Sequence, residues 1–165
     1  MTIYNSRNDD NCRRCLPVNE PDVETQSVFA DYFALAPLDN PNDITPGAPI
    51  AFPRGFSSDA DAIARLSDSS FNIAQSGGYL VMFQVSVSGA AQLVLTLNGA
   101  PLSYTAFGSD AEQGQITGTA IVTTAAEYSV LSLINPINSA NDVVITQSAG
   151  GNLPSSSHLT IVKLA

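Results

Sequence analysis

Gly77-Gly78-Tyr79-Leu80-Val81-Met82-Phe83-Gln84-Val85-Ser86-Val87 is the stretch whose reading decides the fold. A Gly-Gly turn signal opens it, and the residues after it are β-branched, aromatic or long apolar ones that suit a pleated surface. Successive side chains of a strand point to opposite faces. Tyr79, Val81, Phe83 and Val85 therefore share one face, and Leu80 and Met82 share the other. A strand of an isolated antiparallel sandwich alternates apolar-in and polar-out. This one is apolar on both sides.

Working outward, the same grammar repeats. Leu93, Leu95 and Leu97 alternate with Val94, Thr96 and Asn98, and Asn98-Gly99 follows, a strong short hairpin signal because both residues tolerate positive φ. Pro101 to Phe107 reads as the returning strand. Ile116–Thr124, Tyr128–Ile134, Val143–Gln147 and Leu159–Leu164 complete the series. Turn clusters such as Asn135-Pro136 and Gly150-Gly151-Asn152-Leu153-Pro154 separate them. Short, evenly spaced strands predict an all-β sandwich or jelly roll of about 8–10 antiparallel strands. Only Asp59–Leu66 reads as helical, for one or two turns with Asp59 as N-cap. On the last strand Leu159 and Ile161 oppose Val162 and Leu164, so it too is apolar on both faces. Such faces need a cover. A second copy of the chain is the expected one, with residues 37–57 as the alternative.

Composition narrows the function. At 165 residues the chain suits one domain able to fold without disulfide or metal. Its 44% hydrophobic content excludes disorder throughout, and no apolar run is long enough to span a bilayer. Six Lys+Arg against fifteen Asp+Glu give a net charge of −9, which repels nucleic acid and acidic membrane surfaces. With one His, no Trp and few charges, the chain does not read as an enzyme, and no cofactor or metal is expected.

Residues 1–27 differ from the rest. They hold Arg7, Arg13 and Arg14, five carboxylates, and only two apolar clusters, Ile3-Tyr4 and Leu16-Pro17-Val18. Neither a period of 2 nor one of 3.6 runs through them, so an extended arm is predicted, with the folded domain at 28–165. Stretched, the arm reaches about 90 Å. It is either a tail or a connector that docks on a neighbouring subunit. The start has no apolar stretch of the kind a secretion signal requires, so the chain is expected to be made without one.

Phe71–Tyr79 (FNIAQSGGY) followed by an apolar strand, then Leu95–Leu102 (LTLNGAPL) and the terminal Leu159–Ala165 (LTIVKLA), resembles the C-terminal head domain of BclA-like collagen-like glycoproteins of bacterial spore surfaces. Ala48–Gly55 (APIAFPRG) and Ala62–Phe71 (AIARLSDSSF) fit in the same order. The resemblance spans about residues 28–165, and implies a complement/TNF-like jelly roll that forms a tight homotrimer with its last strand near the threefold axis. Residues 1–27 contain no Gly-X-Y repeat of the kind that forms the stalk of that family. A trimeric bead with a short arm is similar to subunits of spore appendages (endospore pili), whose arms link one bead to the next.

Cys12-Arg13-Arg14-Cys15 lacks the strand-to-helix context of a redox C-x-x-C site. Zinc takes four ligands, and here there are two thiols and one distant histidine. On an exposed, oxidising spore surface, disulfides between arms, or from arm to bead, are one reading; incidental thiols or a local bridge are the other. His158 follows Ser155–Ser157, but a Ser/His pair needs geometry plus an orienting acid, and adjacent residues of a strand point to opposite faces, so it reads as a strand-end or trimer-axis residue rather than a catalyst. Asp59, Asp61 and Asp68 lack the glycine and bidentate glutamate of a calcium loop.

The expectation is therefore a structural subunit of a spore-surface fibre or appendage, extracellular in use. Tyr79, Leu80, Met82, Leu159, Ile161, Val162 and Leu164 are expected at the trimer interface. Ile3, Tyr4, Cys12, Cys15, Leu16 and Val18 are expected to anchor the arm. Its partners are itself and, by the resemblance, spore-surface anchor and tip proteins. The alternative is a trimeric receptor- or glycan-binding head of a spore or phage fibre.

Overall fold

A computed structural model describes residues 27–164. The strands are β1 (Phe29–Leu35), β2 (Arg54–Ser57), β3 (Ile63–Ser67), β4 (Ser70–Ile73), β5 (Gly77–Ser88), β6 (Ala91–Leu97), β7 (Ala100–Pro101), β8 (Phe107–Ser109), β9 (Gln113–Thr124), β10 (Ser129–Ile134), β11 (Val144–Ile145) and β12 (Ser156–Lys163). They form two antiparallel sheets. In one, β9 pairs along one edge of β5, β12 and the short β11 share the other edge, and β1 and β2 follow beyond β12. The other sheet runs β3-β4-β10-β6, with β7 and β8 on the outer side of β6.

The apolar sets read from the sequence face each other between the sheets. Tyr79, Val81, Phe83, Val85 and Val87 of β5 meet Leu93, Leu95, Leu131 and Leu133 in one buried cluster. Each fully buried side chain of this size contributes roughly 1.5–3 kcal/mol. Phe71 stacks on Tyr32 at 4.6 Å between ring centroids and lies 6.3 Å from Phe52, tying β4 to β1. Burial raises the pKa of both Tyr32 and Tyr79, and the Tyr79 hydroxyl donates to the Gln75 carbonyl at 2.8 Å. At Gly118 any Cβ would run into the ring of Phe83, its pairing partner on β5, and into that of Phe107 from the other sheet.

Asn98-Gly99 makes the predicted two-residue hairpin, with φ of 52° and 79°. Two other expectations are corrected. Asp59–Leu66 is not a helix: Asp59 does cap a turn, its Oδ1 accepting from Asp61 N–H at 2.9 Å, but the chain then enters β3. Ile63 pairs with Ile73 and is fully buried, so sheet pairing outweighs the helical tendency of a short segment. Nor is Pro101–Phe107 one strand. Proline offers no N–H to a ladder, and after Pro101 the chain makes a 3-10 turn at Ser103–Thr105 before β8. Thr105 fastens that turn, its hydroxyl donating to the Leu102 carbonyl and accepting the Leu95 N–H. Strands β1 to β4 were not individually legible.

Strand direction gives the sandwich two poles. At one, the described chain begins beside the end of β12, where Lys163 N–H donates to the Val28 carbonyl. The connections 58–62, 74–76, 98–99 and 125–128 lie there. The long connections 36–53, 135–143 and 146–155 lie at the other, with the turns 68–69, 89–90 and 110–112.

Candidate assembly interface

The outer face of the β9-β5-β12-β1-β2 sheet is the site to which the two-faced strands point. Register aligns Ile121, Leu80, Val162 and Phe29 in one row across β9, β5, β12 and β1. Phe56 of β2 packs edge-on against Phe29 at 6.1 Å. Met82 continues the patch one row away, flanked by Thr119 and Thr160, and Leu164 extends it beyond the end of β12. Ile121 and Phe56 are each 58% exposed and Leu164 52%, while Leu80 and Val162 are half-buried by their neighbours.

Below the apolar row the face turns polar. Thr160 Oγ1 donates to Asp31 Oδ1 at 2.7 Å, and His158 Nδ1 lies 3.7 Å from the same oxygen. The imidazole also stacks on Phe33 at 5.6 Å. Among the outward residues of these strands the charged ones are Asp31 and Arg54, and both have partners: Arg54 forks onto Asp39 at 2.6 and 3.1 Å. A face whose few charges are already partnered loses less when water is removed from it.

The seven residues expected at a subunit contact divide here. Leu80, Met82, Val162 and Leu164 stand on this outer face. Tyr79, Leu159 and Ile161 do not: they are completely buried between the protomer's own sheets and offer a partner nothing, which corrects that part of the expectation. Residues 37–57 do not cover the face either. Residues 37–53 cross the pole opposite the one where the described chain begins, burying Ile50 and Phe52 in the core and bridging Pro49 to Ile134, and residues 54–57 join the sheet itself as its edge strand β2. Phe29, Phe56 and Ile121 were missed. Only the adjacent Ile121-Val122 pair, one of which must point outward, hinted at them. Ile3, Tyr4, Cys12, Cys15, Leu16 and Val18 lie outside the described residues. Among the described residues no cluster of three or more His, Cys, Asp or Glu is placed to hold a metal, and no helix is long and apolar enough to cross a membrane.

No sequence-family model matches the chain and no curated protein matches it. Solved structures do. The globular domain of zebrafish complement 1qA protein aligns with a TM-score of 0.54 at 14% identity, over 82% of this chain and 95% of that one. Murine APRIL at pH 5.0 gives 0.59 at 12%, over 84% and 100%. Eiger TNF from S. frugiperda gives 0.57 at 14%, over 84% and 93%. The described domain is an all-β, complement/TNF-like jelly-roll sandwich.

Proposed function

We propose that the chain is a structural subunit of a bacterial spore-surface fibre or appendage, extracellular in use, which forms homotrimeric beads (residues 28–165) joined by N-terminal arms (residues 1–27). The observation that carries the reading is the row Ile121-Leu80-Val162-Phe29, apolar side chains left facing solvent across four strands of one sheet. Patches of this kind, rimmed by polar residues, mark association surfaces. A copy of the chain is the simplest cover, because every protomer carries the same need. The resemblance of Phe71–Tyr79, Leu95–Leu102 and Leu159–Ala165 to BclA-like heads supports the spore-surface setting, and its fold supports a role outside catalysis. Head-to-tail contacts that do not close generate open filaments. Three arms per bead strengthen one another, since the first to dock holds the others near their sites.

Deleting residues 1–20 tests it. Trimers without filaments are expected by light scattering and negative-stain microscopy; filaments that persist refute the connector role. A second reading, a trimeric binding head, draws on Tyr104 and Tyr128, which are 61% and 70% exposed near the pole where the described chain begins. Glycan-array binding lost in the Tyr104→Ala/Tyr128→Ala variant would favour it.

A further inference from the structure

The two poles of the sandwich differ in charge and relief. The connections of the pole opposite the one where the described chain begins carry Asp39, Asp43, Asp68, Asp110, Glu112 and Asp142, with no Lys or Arg among them. Asp39 is taken by Arg54; the other five have no ion-pair partner among the described residues. A groove of about 610 Å³ opens there, lined by Ala90, Ala91, Gln92, Asp110, Ala140 and Asn141 among others. Its wall is held from behind by Asn135, fully buried, whose Nδ2 donates to the carbonyls of Ile44 and Asn141 at 2.8 and 3.0 Å. Ile137, 74% exposed, stands on the same 135–143 connection.

We propose that this acidic, grooved pole receives residues 1–26 of a second copy, with Arg13 and Arg14 set among Asp110, Glu112 and Asp142 and the apolar residues of the arm against Ala90, Ala91, Ala140 and Ile137. The proposal rests on the fibre reading and supplies the docking surface it needs. Three observations select this occupant. The described chain begins at the other pole, so an arm leaving one bead meets the far pole of the next with both beads in the same orientation. Twenty-six residues precede Ser27, and extended they reach about 85 Å, roughly twice the length of the longest strands. The first fifteen residues of the arm hold half of the basic residues of the chain, Arg7, Arg13 and Arg14, against Asp9 and Asp10, so this tip carries a net charge of +1 and the acid of the arm (Glu20, Asp22 and Glu24) follows it, while the pole holds only acid in its connections. Contacts between such groups weaken as salt rises.

The full-length chain carrying Asp110→Lys, Glu112→Lys and Asp142→Lys is the test, read for trimers by light scattering, filaments by negative-stain microscopy, and affinity for a fluorescent peptide of residues 1–26 by anisotropy. Trimers without filaments, with peptide binding at least tenfold weaker than wild type, are expected. Adding Arg13→Glu and Arg14→Glu to that variant should restore filaments. Normal filaments from the triple lysine variant, or equal peptide binding by variant and wild type, overturn the pole as the docking surface while leaving the fibre reading in place. A wild-type chain that never forms filaments removes the fibre reading and this proposal with it.

Discussion

Leu80 and Val162 stand opposite one another on the β5–β12 ladder, and both side chains point away from the core. Their inward neighbours, Val81 and Ile161, form the next pair and are completely buried. The same two strands thus serve two apolar surfaces, one closed by the protomer and one left open.

Leu80→Asp combined with Val162→Asp should leave a folded protomer and abolish the proposed trimer. Each apolar side chain buried at a contact contributes about 1.5–3 kcal/mol, and a carboxylate taken there without a partner carries a desolvation cost instead. In the proposed threefold assembly the loss recurs in every protomer. Circular dichroism should remain that of a β protein while light scattering falls to the monomer mass; a trimer that survives would show that this face is not the contact.

Gly118→Ala should destabilise the protomer by about 1–3 kcal/mol, the usual cost of overpacking a filled core. The added methyl meets the Phe83 and Phe107 rings, whose centroids lie 5.8 Å apart in an edge-to-face pair. Phe83→Leu in the Gly118→Ala background should recover part of the loss in urea unfolding. If Gly118→Ala unfolds at the wild-type urea midpoint, the close packing of the Phe83 and Phe107 rings on Gly118 is wrong.

The Asp39–Arg54 pair should make stability depend on acid. The fork from Arg54, followed by the hydrogen bond from Leu35 N–H, holds the Asp39 carboxyl below its usual range. A depressed native pKa contributes stability above the unfolded value, near 4, and that contribution is lost as pH falls through the native value. Asp39→Asn should therefore melt below wild type at neutral pH, with the difference closing in acid. A difference that stays constant from neutral pH to about pH 2 would contradict the pairing.

Local chemistry explains which features were legible. Asn98-Gly99 declared a hairpin because few residue pairs accept two positive φ values in succession, and β5 declared itself through its composition. Asp59–Leu66 misled because a capping aspartate followed by helix-forming residues also begins a turn that leads into a strand. The decision was made by Ile73, the pairing partner of Ile63. The site was legible in half. Alternation divided β5 and β12 into two sets each, but alternation does not say which set faces inward, so Tyr79, Leu159 and Ile161 were grouped with Leu80 and Val162.

By itself, then, the sequence determined an acidic all-β domain preceded by a compositionally distinct segment, and two strands with more apolar surface than one face can hold. These are properties of neighbours along the chain, where periodicity and turn chemistry act. The tertiary structure alone decided that Ile121, Leu80, Val162 and Phe29 form a single row, and that acid and groove share the pole opposite the one where the described chain begins. The reason is physical: strands far apart in sequence are brought side by side by pairing register, and register follows from which faces the whole sandwich can bury.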